Sequence, residues 1–475
     1  MSTQDVISTP RWTTRLFSAE LTRIAAFSAA ALLFTLLLIA VRARWVPLES
    51  VDHGLAADLN GAVAEHPLII SVMKGLSTLG TSGVLSWLVG IPALVLLVRS
   101  RYRLALYLLV TGVGALVIDP MLKHTVGRLR PVVADPVATA TGGSFPSGHA
   151  FESTVGYGAL LLVFLPALRK DTRRAALAAA AGLVALIGFS RLALGVHFLS
   201  DVLGGWALGF AWLGISAYAF EIWRGERGQR ITRPLAEGLE PEATRDLRPT
   251  APGFVAHVMS DGMAIAGVVV TWVLIFGVLL AIGIPLAKYH GGNGNVLGDS
   301  TVPRWFAAHR TAQLTRISAL GSDYGNTHAI FSIGVVAATL ALARIRLWRP
   351  VVFLLAAMLG ELTLFLATAA IAGRQRPAVS HLDGAIPTSS FPSGHVAATL
   401  MLYCAIAALV LPRTRAWWRW LFVAAAVVMP LWVALSRLYR GMHHPTDVLA
   451  SALLVACWFP AMLHFTRPNR DVEES

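Results

Sequence analysis

The chain contains 475 residues, of which 56% are apolar and only 14% are charged, whereas about 25% of the residues in a typical soluble domain are charged. The mean hydropathy is +0.64, and the apolar excess runs through the whole length. This composition excludes a soluble enzyme, a disordered chain and a disulfide scaffold, and it favours an all-α integral membrane protein. The net charge of +13 is best explained by Arg-rich cytoplasmic loops that face anionic lipid, rather than by a nucleic-acid partner.

Twelve predominantly apolar runs predict about twelve transmembrane helices. Runs of this length, extended by flanking residues where they are short, can cross a hydrocarbon core of about 30 Å. Residues 1–23, which precede the first run, are polar and basic. They do not resemble a cleavable signal peptide, so the first helix is expected to remain as an anchor. The predicted spans are residues 24–41, 75–98, 104–118, 150–168, 175–190, 202–220, 263–287, 324–343, 351–372, 396–412, 421–436 and 448–463.

A charged segment that contains Pro and Gly separates two sets of six spans. We expect a first membrane domain at 1–220, a cytoplasmic linker at 221–255 and a second membrane domain at 256–475. Loops with several Arg residues alternate along each half, and the positive-inside rule places them, the linker and both termini in the cytoplasm. Some Lys and Arg residues also lie in the opposite loops. The predicted location is the plasma membrane, with the remaining helix ends on the extracytoplasmic face.

The second half of the chain repeats the first. Three motifs return at a constant offset of 246 residues: GRLRP (127–131) as GRQRP (373–377), SFPSGH (144–149) unchanged at 390–395, and SRLALGVHFLSDVL (190–203) as SRLYRGMHHPTDVL (436–449). Upstream, LSTLG at 76–80 aligns with ISALG at 317–321, which implies a length change of five residues. Because each half has an even number of spans, the sequence predicts two parallel six-helix bundles.

In the first half, charged and polar residues collect at the ends of spans on one side of the membrane. Charged groups are costly in hydrocarbon, so they are expected at an interface or in a polar cavity. Three cations and a Ser-Gly turn suit a phosphate group, and two histidines beside an anion suit a nucleophile and a general acid. The carboxylate one helical turn after the second His can fix its tautomer. These residues are Lys123, Arg130, Ser147, Gly148, His149, Arg191, His197 and Asp201.

These three motifs, in this order and spacing, resemble the type 2 phosphatidic acid phosphatase superfamily. The matching segments are Lys123–Pro131, Pro146–His149 and Ser190–Asp201, and the resemblance covers both halves. It implies a six-helix phosphatase core in each half. The superfamily also includes soluble haloperoxidases, but twelve spans place this chain with the membrane lipid phosphatases.

The resemblance also implies residue roles. His197 would attack phosphorus and form a phosphohistidine, Asp201 would orient it, and His149 would protonate the leaving oxygen and then activate water. Lys123, Arg130, Arg191, Ser147 and the Gly148 amide would hold the phosphoryl oxygens. The second half carries His443, His395 and Asp447 as catalytic counterparts. Its phosphate-binding counterparts are Arg376, Ser393, Gly394 and Arg437, and Ala369 replaces the motif Lys.

The predicted function is metal-independent hydrolysis of a lipid phosphate or diphosphate on the extracytoplasmic face, without a cofactor. Expected substrates are a polyprenyl diphosphate, phosphatidylglycerol phosphate and phosphatidic acid, an order that rests on the habits of the family in bacteria. Alternatives are a lipid phosphotransferase that uses the same site, a twelve-helix transporter, and a second half that binds lipid without catalysis. A transporter site would lie near the bilayer midplane, whereas these motifs lie at span ends.

Differences between the repeats predict a remodelled second site. Asp119 and Lys123 lie one helical turn apart, so we expect them to form an ion pair, and both are replaced in the second half, by Phe365 and Ala369. The second site is then expected to bind phosphate more weakly, or to take a different lipid whose charge is met by Arg374 and Arg376. The alternative is drift in a redundant copy.

Three further features have no assigned function at this stage. The intramembrane Glu361, whose counterpart is Ala115, is either a structural partner between helices or part of a site peculiar to the second half. The Gly-rich segment 290–300 is expected to be a flexible outer loop. Cys404 and Cys457 lie in apolar runs and are expected to pack as small side chains.

Overall fold

The computed structural model describes residues 11–230, 232–247, 262–289, 295–384 and 388–473. Three of the predicted features therefore lie partly outside the described residues. They are the start of the N-terminal segment (1–10), residues 231 and 248–255 of the linker, and residues 290–294 of the Gly-rich loop. The chain forms two compact units, Met1–Arg248 and Pro249–Ser475.

Eight helices of at least 12 residues make up most of the first unit in the described ranges. They are α1 (Arg11–Arg42), α2 (Val46–Ala64), α3 (Pro67–Thr78), α4 (Ser82–Val98), α5 (Tyr102–Val126), α6 (Gly148–Phe164), α7 (Lys170–Ala193) and α8 (Leu199–Gly225). Helix α6 is central, because it packs against α4, α5, α7 and α8, while α1 packs along α8.

The second unit repeats this order. Its helices are α9 (Gly262–Tyr289), α10 (Thr301–Ala308), α11 (Ala312–Tyr324), α12 (Thr327–Ile345), α13 (Arg349–Ala372), α14 (Gly394–Val410), α15 (Arg419–Tyr439) and α16 (Pro445–Thr466). Helix α14 is the counterpart of α6 and packs against α12, α13, α15 and α16. The prediction of two helical bundles is confirmed for the described parts of the chain.

Eleven helices are long and apolar enough to cross a membrane within the described ranges, or twelve if the bent pair α3–α4 counts as one span. The predicted twelve spans are therefore recovered, with one correction. The expected continuous span at 75–98 is broken after Thr78, and the two helices meet at an angle of 42°. At this break a Cβ atom on Gly80 would lie 2.5 Å from Ile187 of α7, so the backbone passes close to its neighbour where the span bends.

Much of the segment interpreted as a linker packs on the first unit. Leu239, Ala243 and Leu247 are buried in the same apolar cluster as Leu104 and Leu108 of α5. Burial of apolar surface is a sufficient reason for this packing. The first compact unit therefore extends beyond the predicted domain boundary at residue 220.

Left-handed glycines end the helices that lead into the first motif of each unit. Gly127 follows α5 with φ of +63°, and Gly373 follows α13 with φ of +60°. Their amides donate to the carbonyls of Lys123 and Ala369, a common way to close a helix. The chain then reverses immediately before the arginines of GRLRP and GRQRP.

Candidate active site

Three separated segments meet at one end of the first unit. They are the loop after α5, the turn before α6, and the connection from α7 to α8. Backbone hydrogen bonds join them, because the Ser144 amide donates to the Arg128 carbonyl (2.8 Å) and the Ser147 amide donates to the Asp201 carbonyl (2.9 Å). All eight predicted first-half residues lie at helix ends or in these connections, as expected for an interfacial enzyme site rather than for the transporter alternative.

His197 is buried and is held on both sides of its ring. Nδ1 lies 3.4 Å from Asp201 Oδ2, and Nε2 lies 3.1 Å from Arg130 Nη1. Burial lowers the pKa of His197 to about 4, although the neighbouring Asp201 opposes this shift. The ring is therefore neutral near pH 7. Because the carboxylate can only accept a hydrogen bond, the proton belongs on Nδ1 and Nε2 keeps its lone pair.

Asp201 is fixed by several donors at the start of α8. Oδ2 accepts from Ser144 Oγ (2.6 Å) and from the Phe198 amide (2.8 Å), while Oδ1 accepts from Arg128 Nη1 (2.7 Å). These contacts hold the carboxylate in one position beside the histidine. The prediction that Asp201 can orient His197 fits this geometry.

Sequence reasoning missed a buried charge network behind Asp201. Arg128 bridges two carboxylates, because its Nη2 lies 2.8 Å from Asp52 Oδ2 on α2. Asp52 also accepts a hydrogen bond from the Ser200 amide (2.9 Å). The side chains of Asp52 and Asp201 are completely buried. The return of Arg128 as Arg374 in the repeat was a usable signal, whereas Asp52 lies far from every recognised motif.

Arg130 organises the loop around the site. Nη1 donates to the Val196 carbonyl (2.8 Å), while Nη2 donates to the carbonyls of Thr141 (3.0 Å) and Gly143 (3.2 Å). Since Nη1 also faces His197, one guanidinium joins the loop to the candidate nucleophile. Arg130 is thus both a structural clamp and a cation beside the reacting ring.

The third cation, Arg191, is buried at the end of α7. It donates from Nη1 to Ser77 Oγ of α3, and its Nε has no hydrogen-bond partner among the described residues. In the second unit, Arg437 donates to Ser322 Oγ in the same way (2.7 Å). A serine from the upstream helix therefore positions this arginine in both units.

These contacts correct the upstream alignment of the repeats. Ser77 and Ser322 are equivalent by their arginine partners, and Gly80 and Gly325 both lie against the histidine of the PSGH motif. The offset is 245 in both cases, so the length change is one residue, and the match to ISALG at 317–321 is wrong. Short apolar motifs of this kind recur along helices and do not fix a register by themselves.

The predicted pair between Lys123 and Asp119 is present on α5, with Nζ 2.7 Å from Oδ2. A Cβ atom on Gly148 would lie 2.7 Å from each of these two atoms, so a larger residue at this position would have to displace the ion pair. Ser147 Oγ is buried and meets no hydrogen-bond partner in the part of the chain that the structure describes. The first turn of α6 thus offers a hydroxyl and a backbone approach next to a lysine, which is a suitable setting for a phosphate oxygen.

His149 directly follows Gly148 in the first turn of α6. It is partly exposed, and its ring approaches Gly80 at the break between α3 and α4, with Cδ2 3.4 Å from a Cβ position on that glycine. The bend in the second span therefore shapes the wall beside the proposed general acid.

The second unit reproduces the main features of this arrangement. Arg376 Nη1 donates to the Met442 carbonyl (2.6 Å), as Arg130 does to the carbonyl before His197. His443 is buried, and its Nδ1 lies 2.8 Å from the Ser390 carbonyl and 3.6 Å from Asp447 Oδ2. The ring is therefore held mainly by a backbone carbonyl, with the carboxylate farther away.

The remaining second-half residues occupy equivalent places at the start of α14. The Ser393 amide donates to the Asp447 carbonyl (3.3 Å), and Ser393 Oγ has no partner within the described ranges. Gly394 begins the helix and His395 follows it. The Phe365 ring packs against Gly394, because a Cβ atom on this glycine would lie only 2.8 Å from Cζ of the ring. Phe365 therefore fills the space next to Gly394 that the Lys–Asp pair occupies in the first unit.

The expectation that Arg374 meets the charge of a second-half ligand is wrong. Its guanidinium is buried between Asp299 (2.6 Å to Oδ2) and Asp447, and it also donates to Thr446 Oγ1 (2.7 Å). Two carboxylates already neutralise it. Arg374 is thus the counterpart of Arg128, and Asp299 is the counterpart of Asp52.

The family comparison agrees with this geometry. The model of the PAP2 superfamily matches residues 103–224 and 347–471, which together make up just over half of the chain. The chain belongs to the PAP2 superfamily. The two matched regions are the two repeats, so the predicted tandem arrangement of phosphatase domains is confirmed.

Several characterised members of the PAP2 superfamily are similar to this chain. Phosphatidylglycerophosphatase B of Bacillus subtilis is 35% identical over 167 residues, covering 34% of this chain and 79% of the relative. Decaprenylphosphoryl-5-phosphoribose phosphatase of Mycobacterium tuberculosis is 34% identical, covering 32% and 80%. Undecaprenyl-diphosphatase of Sulfolobus acidocaldarius is 27% identical, covering 36% and 75%. A crystal structure of a PAP2-type phosphatidylglycerolphosphate phosphatase from Bacillus subtilis is 26% identical, with a TM-score of 0.37, and covers 43% of this chain and 98% of that one.

Glu361 lies outside the matched site geometry. It is 2% exposed in the middle of α13, and its Oε1 makes no hydrogen bond to any described residue. In the first unit the facing helix α6 carries a similarly buried Glu152, and Ala115, the counterpart of Glu361, lines the same small cavity as Glu152. Each unit therefore has one buried carboxylate on this pair of helices. It belongs to α6 in the first unit and to α13, the counterpart of α5, in the second unit.

Proposed function

We propose that the first unit hydrolyses a lipid phosphate or diphosphate through a phosphohistidine on the extracytoplasmic face of the membrane. This multi-pass membrane protein is a lipid phosphatase, as its family and its relatives show. The geometry of His197 supports the proposed phosphohistidine mechanism. Its Nδ1 faces the fixed carboxylate of Asp201, while its Nε2 faces the guanidinium of Arg130.

The reaction begins with attack of His197 Nε2 on phosphorus. The bond between phosphorus and the leaving oxygen breaks, which is the ester oxygen of a monoester or the bridging oxygen of a diphosphate, and His149 gives its proton to that oxygen. In the second step His149 takes a proton from water, and the water oxygen attacks phosphorus. The bond between phosphorus and His197 Nε2 breaks, which releases inorganic phosphate and restores the neutral ring. Asp201 stabilises the positive ring during both steps, because its carboxylate stays fixed on the Nδ1 side.

Charge on the transferred group is met by Lys123, Arg130 and Arg191. Two donors that have no partner among the described residues, Ser147 Oγ and Arg191 Nε, are available for phosphoryl oxygens. Preorganised donors of this kind are usually the largest contribution to catalysis, and loss of one costs on the order of 100-fold in rate.

The proposed substrates are amphiphilic, with the phosphate at the membrane surface and the lipid chains in the bilayer. Relatives named for phosphatidylglycerol phosphate, decaprenylphosphoryl-phosphoribose and undecaprenyl diphosphate support a lipid-linked phosphate. We therefore propose a polyprenyl diphosphate, phosphatidylglycerol phosphate or phosphatidic acid as the substrate class. In this proposal water, rather than a lipid or sugar, accepts the phosphoryl group.

The first experiment is phosphate release by the purified protein in excess EDTA, with these three lipids as substrates. We expect full activity, because the three cations take the role that a metal ion would have. The described residues also contain no group of three or more His, Cys, Asp and Glu side chains able to hold one. Orthovanadate should inhibit as a phosphorus mimic. Activity that disappears in EDTA and returns only with a divalent ion would disprove the proposed mechanism.

The proposed sidedness can be tested by cysteine labelling. Thr139 is exposed in the loop between α5 and α6, and Arg227 is exposed after α8. In a background with Cys404→Ala and Cys457→Ala, Thr139→Cys should react with an impermeant maleimide in intact cells, whereas Arg227→Cys should react only after the cells are opened. The reverse pattern would place the active site in the cytoplasm.

A further inference from the structure

The second unit differs from the first most sharply at Asp383, in the loop between α13 and α14. Asp383 Oδ2 lies 2.7 Å from Arg437 Nη1, and Oδ1 lies 2.7 Å from Arg440 Nε. Arg437 is the counterpart of Arg191, which has no carboxylate within ion-pair distance in the described part of the chain. A carboxylate therefore sits directly on one of the two arginines that the second site retains.

This ion pair has no equivalent among the first-unit residues that the structure describes. Subtracting the offset of 246 places Val137 at the position of Asp383 and Leu194 at the position of Arg440. The two loops also follow the same path, since Gly195 approaches Val133 and its counterpart Gly441 approaches Val379. Asp383 and Arg440 thus differ together from their counterparts in the other repeat, as Asp119 and Lys123 do.

Arg440 anchors Asp383 in place. The remaining donors of its guanidinium reach the Leu382 carbonyl (3.1 Å) and Ser318 Oγ (3.3 Å), so the arginine is held from both sides. Burial raises the pKa of Asp383, but Arg440 and Arg437 outweigh it and hold that pKa below its usual range. The carboxylate is therefore ionised at neutral pH, and it resembles a phosphate oxygen in charge and in hydrogen bonding.

The rest of the second site is still built for an anion. Arg437 Nε, Arg437 Nη2 and Ser393 Oγ are buried without hydrogen-bond partners among the described residues, and unpaired buried donors are costly unless a ligand satisfies them. Arg376 adds a further positive charge. In the first unit, the ion pair with Asp119 places Lys123 next to the Ser-Gly turn. In the second unit, the ion pair with Arg440 places the Asp383 carboxylate against Arg437.

We propose that the second unit contains a latent lipid-phosphate site, in which the Asp383 carboxylate neutralises the arginine that would otherwise bind the phosphoryl group. The ligand is a phosphate monoester of a membrane lipid, and it binds only when Asp383 is displaced. This inference rests on the proposed function, because it takes Arg437 as a phosphate-binding residue. It differs from a loss of function by drift, since removal of one carboxylate should open the site.

The test measures binding of orthovanadate to the full-length protein by calorimetry. The background is Lys123→Ala with Arg191→Ala, which removes two of the three cations of the first site. Asp383→Val with Arg440→Leu recreates the first-half residues and leaves no unpaired buried charge from this pair. We expect the affinity for orthovanadate to rise by roughly tenfold or more, because one charge-assisted contact to Arg437 becomes available. Addition of Arg437→Ala should remove this gain.

A second variant controls for misfolding of the first. Asp383→Asn keeps the size of the side chain and should give a smaller gain of the same sign, with thermal unfolding measured on each variant. A folded protein whose affinity stays unchanged or falls in both variants would show that Asp383 is only a structural ion-pair partner. Binding of orthovanadate needs no turnover, so this result is independent of phosphate release by the first site in EDTA.

Discussion

His197→Ala is expected to abolish hydrolysis of the main lipid substrate, with turnover lower by a factor on the order of 10,000 or more. The variant removes the proposed nucleophile, whose ring lies between the Asp201 carboxylate and the Arg130 guanidinium. The cations and Asp201 stay in place, so lipid binding should change much less than turnover. Phosphate release and binding of orthovanadate, measured on the same preparation, separate the two effects.

His443→Ala is the matched control that the duplicated site provides. We expect it to lower turnover of the same lipid by less than about twofold. The second site lacks the motif lysine, and its Arg437 already forms an ion pair with Asp383. The expected ranking thus depends on differences between two otherwise equivalent histidines. If His443→Ala lowered turnover as much as His197→Ala, the assignment of the first unit as the main site would be wrong.

The paired replacements favour a remodelled second site over random decay. Asp119 and Lys123 form an ion pair, so loss of either alone would leave a charge in a mostly buried position. In the second unit Ala369 and the Phe365 ring replace both, and the ring packs against Gly394. The other motif residues are kept. A unit that had merely lost its function would not be expected to exchange charges in pairs.

The amino-acid sequence was sufficient to predict the helical bundles and the residues that meet at their ends. Apolar runs of span length leave few alternatives to membrane helices, and charged motifs at the ends of runs must collect at an interface. A repeat at constant offset also shows which residues are retained together. For these reasons the motifs themselves assign His197, Arg130 and Asp201 to one site.

The residues that sequence reasoning missed have no local signal. Asp52 lies 76 residues from Arg128, and its counterpart Asp299 is at an offset of 247 rather than 246, so the repeat does not align them. Asp383 has an apolar counterpart and so falls outside any repeated motif. The break between α3 and α4 lies where Gly80 faces Ile187 of α7, more than a hundred residues farther along the chain. Each of these features is a tertiary contact between segments whose separation in sequence gives no indication of it.

The second large effect is expected for Arg128→Ala, which should both destabilise the first unit and lower turnover. Arg128 lies 2.8 Å from Asp52 and 2.7 Å from Asp201, and both carboxylates are completely buried. Removing one partner from a buried ion pair costs about 3–5 kcal/mol, because the remaining charge is left without compensation. Asp201 would also lose the donor on Oδ1 and with it part of its hold on His197. Thermal unfolding and phosphate release measure the two consequences.

Arg374→Ala is the matched variant, since Arg374 bridges Asp299 and Asp447 in the same way. It should destabilise the second unit by a similar amount and leave turnover by the first unit nearly unchanged. Adding Asp52→Asn to Arg128→Ala should recover part of the stability, because one unpaired carboxylate is removed, but should not recover turnover, because Asp201 remains without its arginine. An Arg128→Ala protein with the unfolding temperature and turnover of wild type would contradict this account, since it would show that neither carboxylate depends on the bridge.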